Sequence, residues 1–163
     1  PHSTHGGGVA ILCKDNLSPT PLELPFYRSF EAISVTLTGL PHQLTIFNIY
    51  RPPDSSSYSP PFTAFLDELT SLLSFATILP QFVITGDFNL HCNDGSNHQA
   101  TQFLSILSDF NLTQHVTFPT HTSGNTLDLL ITHTNSLTPP TVSCLPATPS
   151  DHYAIFSIDM PAP

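Results

Sequence analysis

Basic residues are nearly missing from this sequence. Lys14, Arg28 and Arg51 stand against twelve acids, for a formal charge of −9. All charged residues together make up 9% of the chain, against about 25% in an average soluble domain. A nucleic-acid binder that works on charge alone carries a basic patch, and no such patch exists to be built here. Long apolar runs are missing too: none reaches the ~18 residues of a membrane span. A charged n-region followed by an apolar h-region is also lacking, so a signal peptide is not expected. Cysteine is scarce and odd in number. Cys13, Cys92 and Cys144 lie far apart without a CxxC pair, which excludes a disulfide framework and a zinc site of the usual spacing. Buried free thiols in a reducing compartment are the expectation. The first residue is Pro1 rather than Met, as in a piece of something longer.

What is present is enough apolar material for a core. The 163 residues are 39% hydrophobic with a mean hydropathy of +0.06, the size of one domain. We expect a single domain over 1–163, with 159–163 as a tail. The periodicity alternates between strand and helix. Residues 9–13 form a short apolar run after three glycines and predict a strand. Ile33, Val35 and Leu37 alternate with polar neighbours, and residues 44–50 follow a turn at 39–41, predicting an antiparallel hairpin. After a Pro- and Ser-rich loop, Ser59 is placed to cap a helix and Pro60 to occupy its first turn. Phe62, Phe65, Leu66, Leu69, Leu72 and Leu73 then fall on one helical face. Residues 82–85 predict a central strand buried on both faces, followed by a polar loop over 86–97. Phe103, Leu104, Leu107 and Phe110 mark a second helix. Residues 127–131 and 153–158 predict two more strands, with a stretch broken by Pro139, Pro140, Pro146 and Pro149 between them. The sum is an α/β or α+β layered domain with mixed strand directions.

Three segments set polar groups beside apolar strands. Thr85-Gly86-Asp87-Phe88-Asn89 closes the central strand, at the end where open α/β sheets present ligands with side chains. Its glycine is expected to allow a sharp turn. Asn125-Thr126-Leu127-Asp128-Leu129-Leu130 puts an acid inside an apolar strand, where a carboxylate needs a cation or a histidine as partner. Ser150-Asp151-His152-Tyr153 opens the last strand, and a regular strand would send Asp151 and His152 to opposite faces. Taken singly, Asp87 and Asp151 read equally as turn acids, Asp128 as a backbone cap and His152 as a structural histidine. Taken together, an Asp–His–Asp set can orient an imidazole with one acid while the other activates water or binds a cation. Gly6-Gly7-Gly8 lacks the Lys-Ser/Thr of a phosphate loop and reads as a flexible entry to a strand. His2, His5, His42, His91, His98, His115, His121 and His133 show no HxH or HxxxH pairing and read as scattered surface histidines.

Ile84-Thr85-Gly86-Asp87-Phe88-Asn89, Leu127-Asp128-Leu129-Leu130-Ile131 and Ser150-Asp151-His152, in that order, resemble the endonuclease/exonuclease/phosphatase superfamily. Phe47-Asn48-Ile49-Tyr50-Arg51-Pro52-Pro53 and His5-Gly6-Gly7-Gly8-Val9-Ala10-Ile11 narrow the resemblance to the endonuclease domain of LINE-type (non-LTR) retrotransposons, a relative of apurinic/apyrimidinic endonucleases. The resemblance runs over residues 6–158. It implies a four-layer sandwich of two mixed β-sheets flanked by helices. It also implies Mg²⁺- or Mn²⁺-dependent hydrolysis of a DNA phosphodiester, the nick that primes reverse transcription. Carried over by position, Asp87 orients or deprotonates the attacking water, and Asn89 helps hold that water and the phosphate. His152 contacts the scissile phosphate with Asp128 orienting its ring, Tyr50 contacts the phosphate, and Asp151 lies at the metal. An intracellular location follows, nuclear if the chain is active, with target DNA as partner and a reverse transcriptase fused downstream.

Complete members of the superfamily begin with an Asn-bearing strand and a strand ending in a metal-binding Glu, both ahead of the Gly-rich segment. Five residues precede Gly6 here, and Glu23, Glu31 and Glu68 sit in unrelated contexts. The expectation is an N-terminally truncated domain that binds metal weakly and cleaves DNA poorly alone, with its DNA grip supplied by missing segments or a downstream polymerase. Two alternatives stand beside it: a catalytically dead remnant or binding scaffold of the same fold, and a phosphatase or phosphodiesterase of the same superfamily.

Overall fold

A computed structural model describes residues 8–40, 42–54, 60–135, 140–145 and 150–158. Gly6, Gly7, Ser59, three of the breaking prolines (Pro139, Pro146 and Pro149) and the tail at 159–163 lie outside them. The strands are β1 (Pro19–Pro21), β2 (Glu31–Leu37), β3 (Leu44–Tyr50), β4 (Phe82–Asp87), β5 (Leu112–Gln114), β6 (Asp128–His133), β7 (Thr141–Leu145) and β8 (Ala154–Ile158). The helices are α1 (Phe62–Ala76) and α2 (His98–Asp109). Six strands form one sheet in the order β1-β2-β3-β4-β6-β5, and β7 and β8 form a separate pair. Only β3 and β4 run parallel; the other neighbours are antiparallel.

The parallel step is made by α1, which crosses from β3 to β4 over one face of the sheet. Its buried stripe of Phe65, Leu69, Leu72, Leu73 and Ala76 follows the 3.6-residue period. It packs with Phe103 and Leu107 of α2 against Phe47, Ile49, Ile84, Leu129 and Ile131 of the sheet. These sheet residues lie on one side of the pleat, so their neighbours in sequence face the other side. There Val83 and Leu130 meet Val142 of β7 and Ile155 of β8. The described residues therefore build three layers: helices, six-stranded mixed sheet, two-stranded sheet. The four-layer sandwich is not what they form, because both helices cover the same face and the other face receives only two strands.

The hairpin, both helices and the central strand fall where periodicity puts them. Several details differ. Residues 9–13 join no ladder, since an apolar run becomes a strand only where a neighbouring edge is free to pair. Pro60 precedes α1 rather than occupying its first turn, and the cap position is Pro61, without a side-chain bond. The second helix starts ahead of its apolar stripe because Asn97 Oδ1 accepts the Ala100 N–H at 2.9 Å, a preferred cap. Cys13, Cys92 and Cys144 are free and partly buried rather than fully so; burial pushes the Cys92 thiol up to about 12.

Candidate active site

Strand register alone assembles most of the site. Glu31 pairs with Tyr50, Tyr50 with Asp87, and Asp87 with Asp128, giving one row across β2, β3, β4 and β6. The alternation of side chains along each strand puts this row on the face away from the helices. Gly86 is what lets β3 and β4 come together beside it. It lies inside β4 with φ of 136°, and a Cβ there would stand 1.9 Å from the Ile49 carbonyl oxygen. The sharp turn expected at this glycine is instead a close approach of two backbones, which only glycine permits.

The segment after β4 is anchored from below. Phe88 and Leu90 are fully buried, and the Phe88 N–H donates to the Leu127 carbonyl at 2.9 Å. What reads as a polar loop is therefore a clamp with two apolar feet. Asn89 takes the left-handed conformation at φ of 48°, one that Asn tolerates. Its N–H and Nδ2 donate to Asp87 Oδ1 and Oδ2 at 3.0 and 3.2 Å, and Nδ2 also donates to the Arg51 carbonyl at 2.8 Å. The Arg51 N–H donates back to the Asp87 carbonyl at 2.8 Å. The buried Arg51 guanidinium donates to the Phe88 and Asn89 carbonyls, both at 3.4 Å, and pairs with Asp54. It lies over the rings of Phe62 and Phe65. Arg51 thus locks the segment that carries Asp87 and Asn89, a role that its place in a proline motif did not suggest.

Asp128 has the histidine that a carboxylate in an apolar strand needs. His152 Nδ1 lies 2.9 Å from Asp128 Oδ2, and its Nε2 lies 4.0 Å from Asp87 Oδ2. The backbone of Asp128 is held by Thr120, whose buried hydroxyl accepts the N–H groups of Leu127 and Asp128 at 2.9 and 3.0 Å. His152 does not open a regular strand; β8 begins at Ala154, and His152 instead makes a single antiparallel bridge to His121. Asp151 and His152 consequently do not diverge to opposite faces. One ligand atom from each of His121, Asp151 and His152 lies within 4.8 Å of the others. The same holds for Asp87, Asp128 and His152. His121, set aside by its lone spacing in sequence, belongs to the site.

The electrostatics follow from this crowding. Burial raises the Asp87 pKa, and the Asp128 charge raises it further, against the lowering effect of the Asn89 N–H and the two histidines. Burial opposes a charge on His152, but the hydrogen bond and charge of Asp128, with the charges of Asp87 and Asp151, outweigh it and raise the pKa. Tyr50 is raised by burial and by the charges of Asp87 and Glu31, so it stays a protonated donor. Asp151 is exposed, and its hydrogen bond with His121 lowers its pKa. Carboxylate oxygens and an imidazole converging within these distances are a donor set that suits a divalent cation of the Mg²⁺ or Mn²⁺ kind. Glu31 stands on the site face, beside Tyr50, while Glu68 accepts the N–H groups of Arg28 and Ser29.

Comparisons with known proteins agree with the motifs. A sequence profile of the family described as Endonuclease-reverse transcriptase matches residues 44–156, a span that contains Tyr50, Asp87, Asn89, Asp128, Asp151 and His152. No curated protein matches by sequence. Among solved structures, the fold is similar to the endonuclease domain of TRAS1, a telomere-specific non-LTR retrotransposon. That match has a TM-score of 0.58 and 16% identity, over 76% of this chain and 59% of that one. It is also similar to beta toxin from Staphylococcus aureus (0.57, 12%, 79% and 57%). A third similar structure is the 3′ phosphatase NExo from Neisseria, bound to a product DNA hairpin (0.55, 17%, 78% and 63%). At these identities the likeness is one of fold. The chain spans 57% to 63% of the length of these three structures.

Proposed function

The chain belongs to the endonuclease–reverse transcriptase family, and from that premise we propose a divalent-metal-dependent DNA endonuclease domain of retrotransposon type that hydrolyses phosphodiesters. The observation that carries the reading is the pair of contacts to His152: Asp128 on Nδ1 at 2.9 Å and Asp87 facing Nε2 at 4.0 Å. Asp128 accepts the Nδ1 proton and fixes the ring, which leaves Nε2 directed to the reacting centre. A raised His152 pKa favours the imidazolium, which complements a phosphate oxygen. Asp87, with a raised pKa, takes the proton of the attacking water more readily than an ordinary carboxylate. Asn89 holds both Asp87 oxygens and so fixes the direction in which that proton is received. Tyr50, in register with Asp87, donates to the phosphate. Asp151 is the carboxylate proposed to hold the metal, beside His152. A bound Mg²⁺ or Mn²⁺ would stabilise charge on the phosphate and the leaving oxygen.

A phosphatase of the same superfamily would use a similar constellation; the match over residues 44–156 favours the endonuclease. Supercoiled plasmid incubated with the chain tests the reading. Nicked circles should accumulate slowly with Mg²⁺ or Mn²⁺ and not in EDTA. Asp87→Ala and His152→Ala should each lower the rate at least ~100-fold, the usual share of an acid–base group. Nicking that persists unchanged in both variants overturns the proposal. A folded chain that never nicks supports the scaffold reading instead.

A further inference from the structure

His121 sits in the loop between β5 and β6, thirty positions before Asp151 in sequence. Two backbone bonds bring the segments together: Thr122 N–H to the Asp151 carbonyl at 2.9 Å, and Tyr153 N–H to the Thr120 carbonyl at 2.7 Å. A turn closed by the Gly124 N–H on the His121 carbonyl at 2.9 Å sets the ring. The ring's two nitrogens are then distinguishable. Nδ1 faces Ser123, 3.0 Å from its backbone N–H and 2.7 Å from its Oγ, and because the backbone N–H can only donate, this contact favours an Nδ1 without a proton. Nε2, which lies 3.2 Å from Asp151 Oδ2, is then the nitrogen placed to donate. A nitrogen that bears a proton donates a hydrogen bond and does not ligate a metal.

We propose that His121 is a positioning residue that holds the Asp151 carboxylate for the metal by donating from Nε2. The inference rests on the reading that Asp151 holds the metal. Apart from His121, the carboxylate has local contacts, with Ser150 Oγ at 3.5 Å from Oδ1; its side chain is 69% exposed, while that of His121 is 21% exposed. The His121 and His152 rings meet edge to face at 4.9 Å and 80°, so the two imidazole–carboxylate pairs, His152–Asp128 and His121–Asp151, brace each other. A carboxylate that must meet a cation in a fixed direction depends on such outer partners, whose loss usually weakens metal affinity ten- to a hundredfold. The two roles differ in where the proton sits: donation to Asp151 needs it on Nε2, whereas ligation through Nε2 needs it on Nδ1, facing Ser123.

Binding of Mn²⁺ alone, followed by the electron paramagnetic resonance signal of the free ion, tests the assignment without needing turnover. The wild-type chain is compared with Asp151→Asn, His121→Phe and His121→Gln, each checked for fold by circular dichroism. Phenylalanine keeps the ring against His152 and removes the donor; glutamine restores an N–H donor. Asp151→Asn should abolish binding, His121→Phe should weaken it about ten- to a hundredfold, and His121→Gln should recover most of that loss. Loss in Asp151→Asn with wild-type affinity in His121→Phe overturns the positioning role and leaves the metal reading standing. Wild-type affinity in Asp151→Asn overturns both. Long-range ¹H–¹⁵N spectra of the metal-free wild type give a second decision that no variant's folding affects: Nε2–H supports the role and Nδ1–H overturns it.

Discussion

His152 keeps a raised pKa although burial works against its charge. Three carboxylates, from Asp128, Asp87 and Asp151, account for the excess, and the direct hydrogen bond to Asp128 leads them. Such a group binds its proton more tightly folded than unfolded. Its stabilisation is complete below the unfolded value, about 6.5, and disappears as pH rises through the higher folded value. In metal-free buffer, the melting temperature should therefore fall across neutral pH and level off above the folded pKa. Nuclear magnetic resonance should place the His152 midpoint above 6.5 in the wild type and lower in Asp128→Asn, with the slope of melting temperature flattened in that variant. A His152 midpoint unmoved by Asp128→Asn contradicts the pairing. The residues of this pair were readable from sequence because each stands in a short motif at a strand end. His121 was not. Its contact with Asp151 depends on a bridge between distant segments, and no local spacing encodes that. Arg51 was visible in its motif, but its work on the Phe88 and Asn89 carbonyls depends on how β3 and β4 align.

Among the elements, β4 carries the largest demand, since it is central in the sheet and ends in Asp87. Its Gly86 has a backbone angle that other residues rarely adopt, and a Cβ would overlap the Ile49 carbonyl. Gly86→Ala should cost about 3 kcal/mol or more, as backbone overlap in a packed core does. Urea unfolding measures it; a loss under 1 kcal/mol would show that β3 and β4 separate easily. Long elements were legible because burial repeats along them, as in the α1 stripe and the alternation of β3; in β2 the strand was legible but its buried side was not, since Ser34 and Thr36 are buried while Ile33 and Val35 are only partly so. The short ones were not. β1 is Pro-Thr-Pro at a sheet edge, where proline's missing N–H is tolerated but no pattern announces a strand. β5 has three residues, and β7 lies in the proline-rich stretch, paired with β8. Residues 9–13 show the reverse error, a strand-like pattern without a ladder. Periodicity reports which side chains want burial, and pairing is decided by the rest of the sheet.

Across the whole molecule, charge sets a limit on how DNA can be held. Of the three basic residues, Arg51 is buried and paired with Asp54, which leaves Lys14 and Arg28 exposed. Meanwhile Glu31, Asp87 and Asp128 line one row of the site face. Phosphate contacts by cations release counterions, and each contributes about −0.9 to the slope of log affinity against log salt on duplex DNA. Two exposed cations allow a slope no steeper than about −2, and the acidic row opposes even that. Fluorescence anisotropy with a labelled duplex in EDTA at pH 8.5, where ordinary histidines are neutral, should give weak binding with a slope between zero and about −2. Divalent metal should then strengthen binding by offsetting the carboxylates, and Asp87→Asn should mimic part of that gain without metal. A slope of −4 or steeper would require more cationic contacts than Lys14 and Arg28 supply, and would overturn this limit. The shallow slope would mean that recognition by these residues is local to the reacting phosphate, with metal and site geometry holding the DNA rather than the surface charge at large.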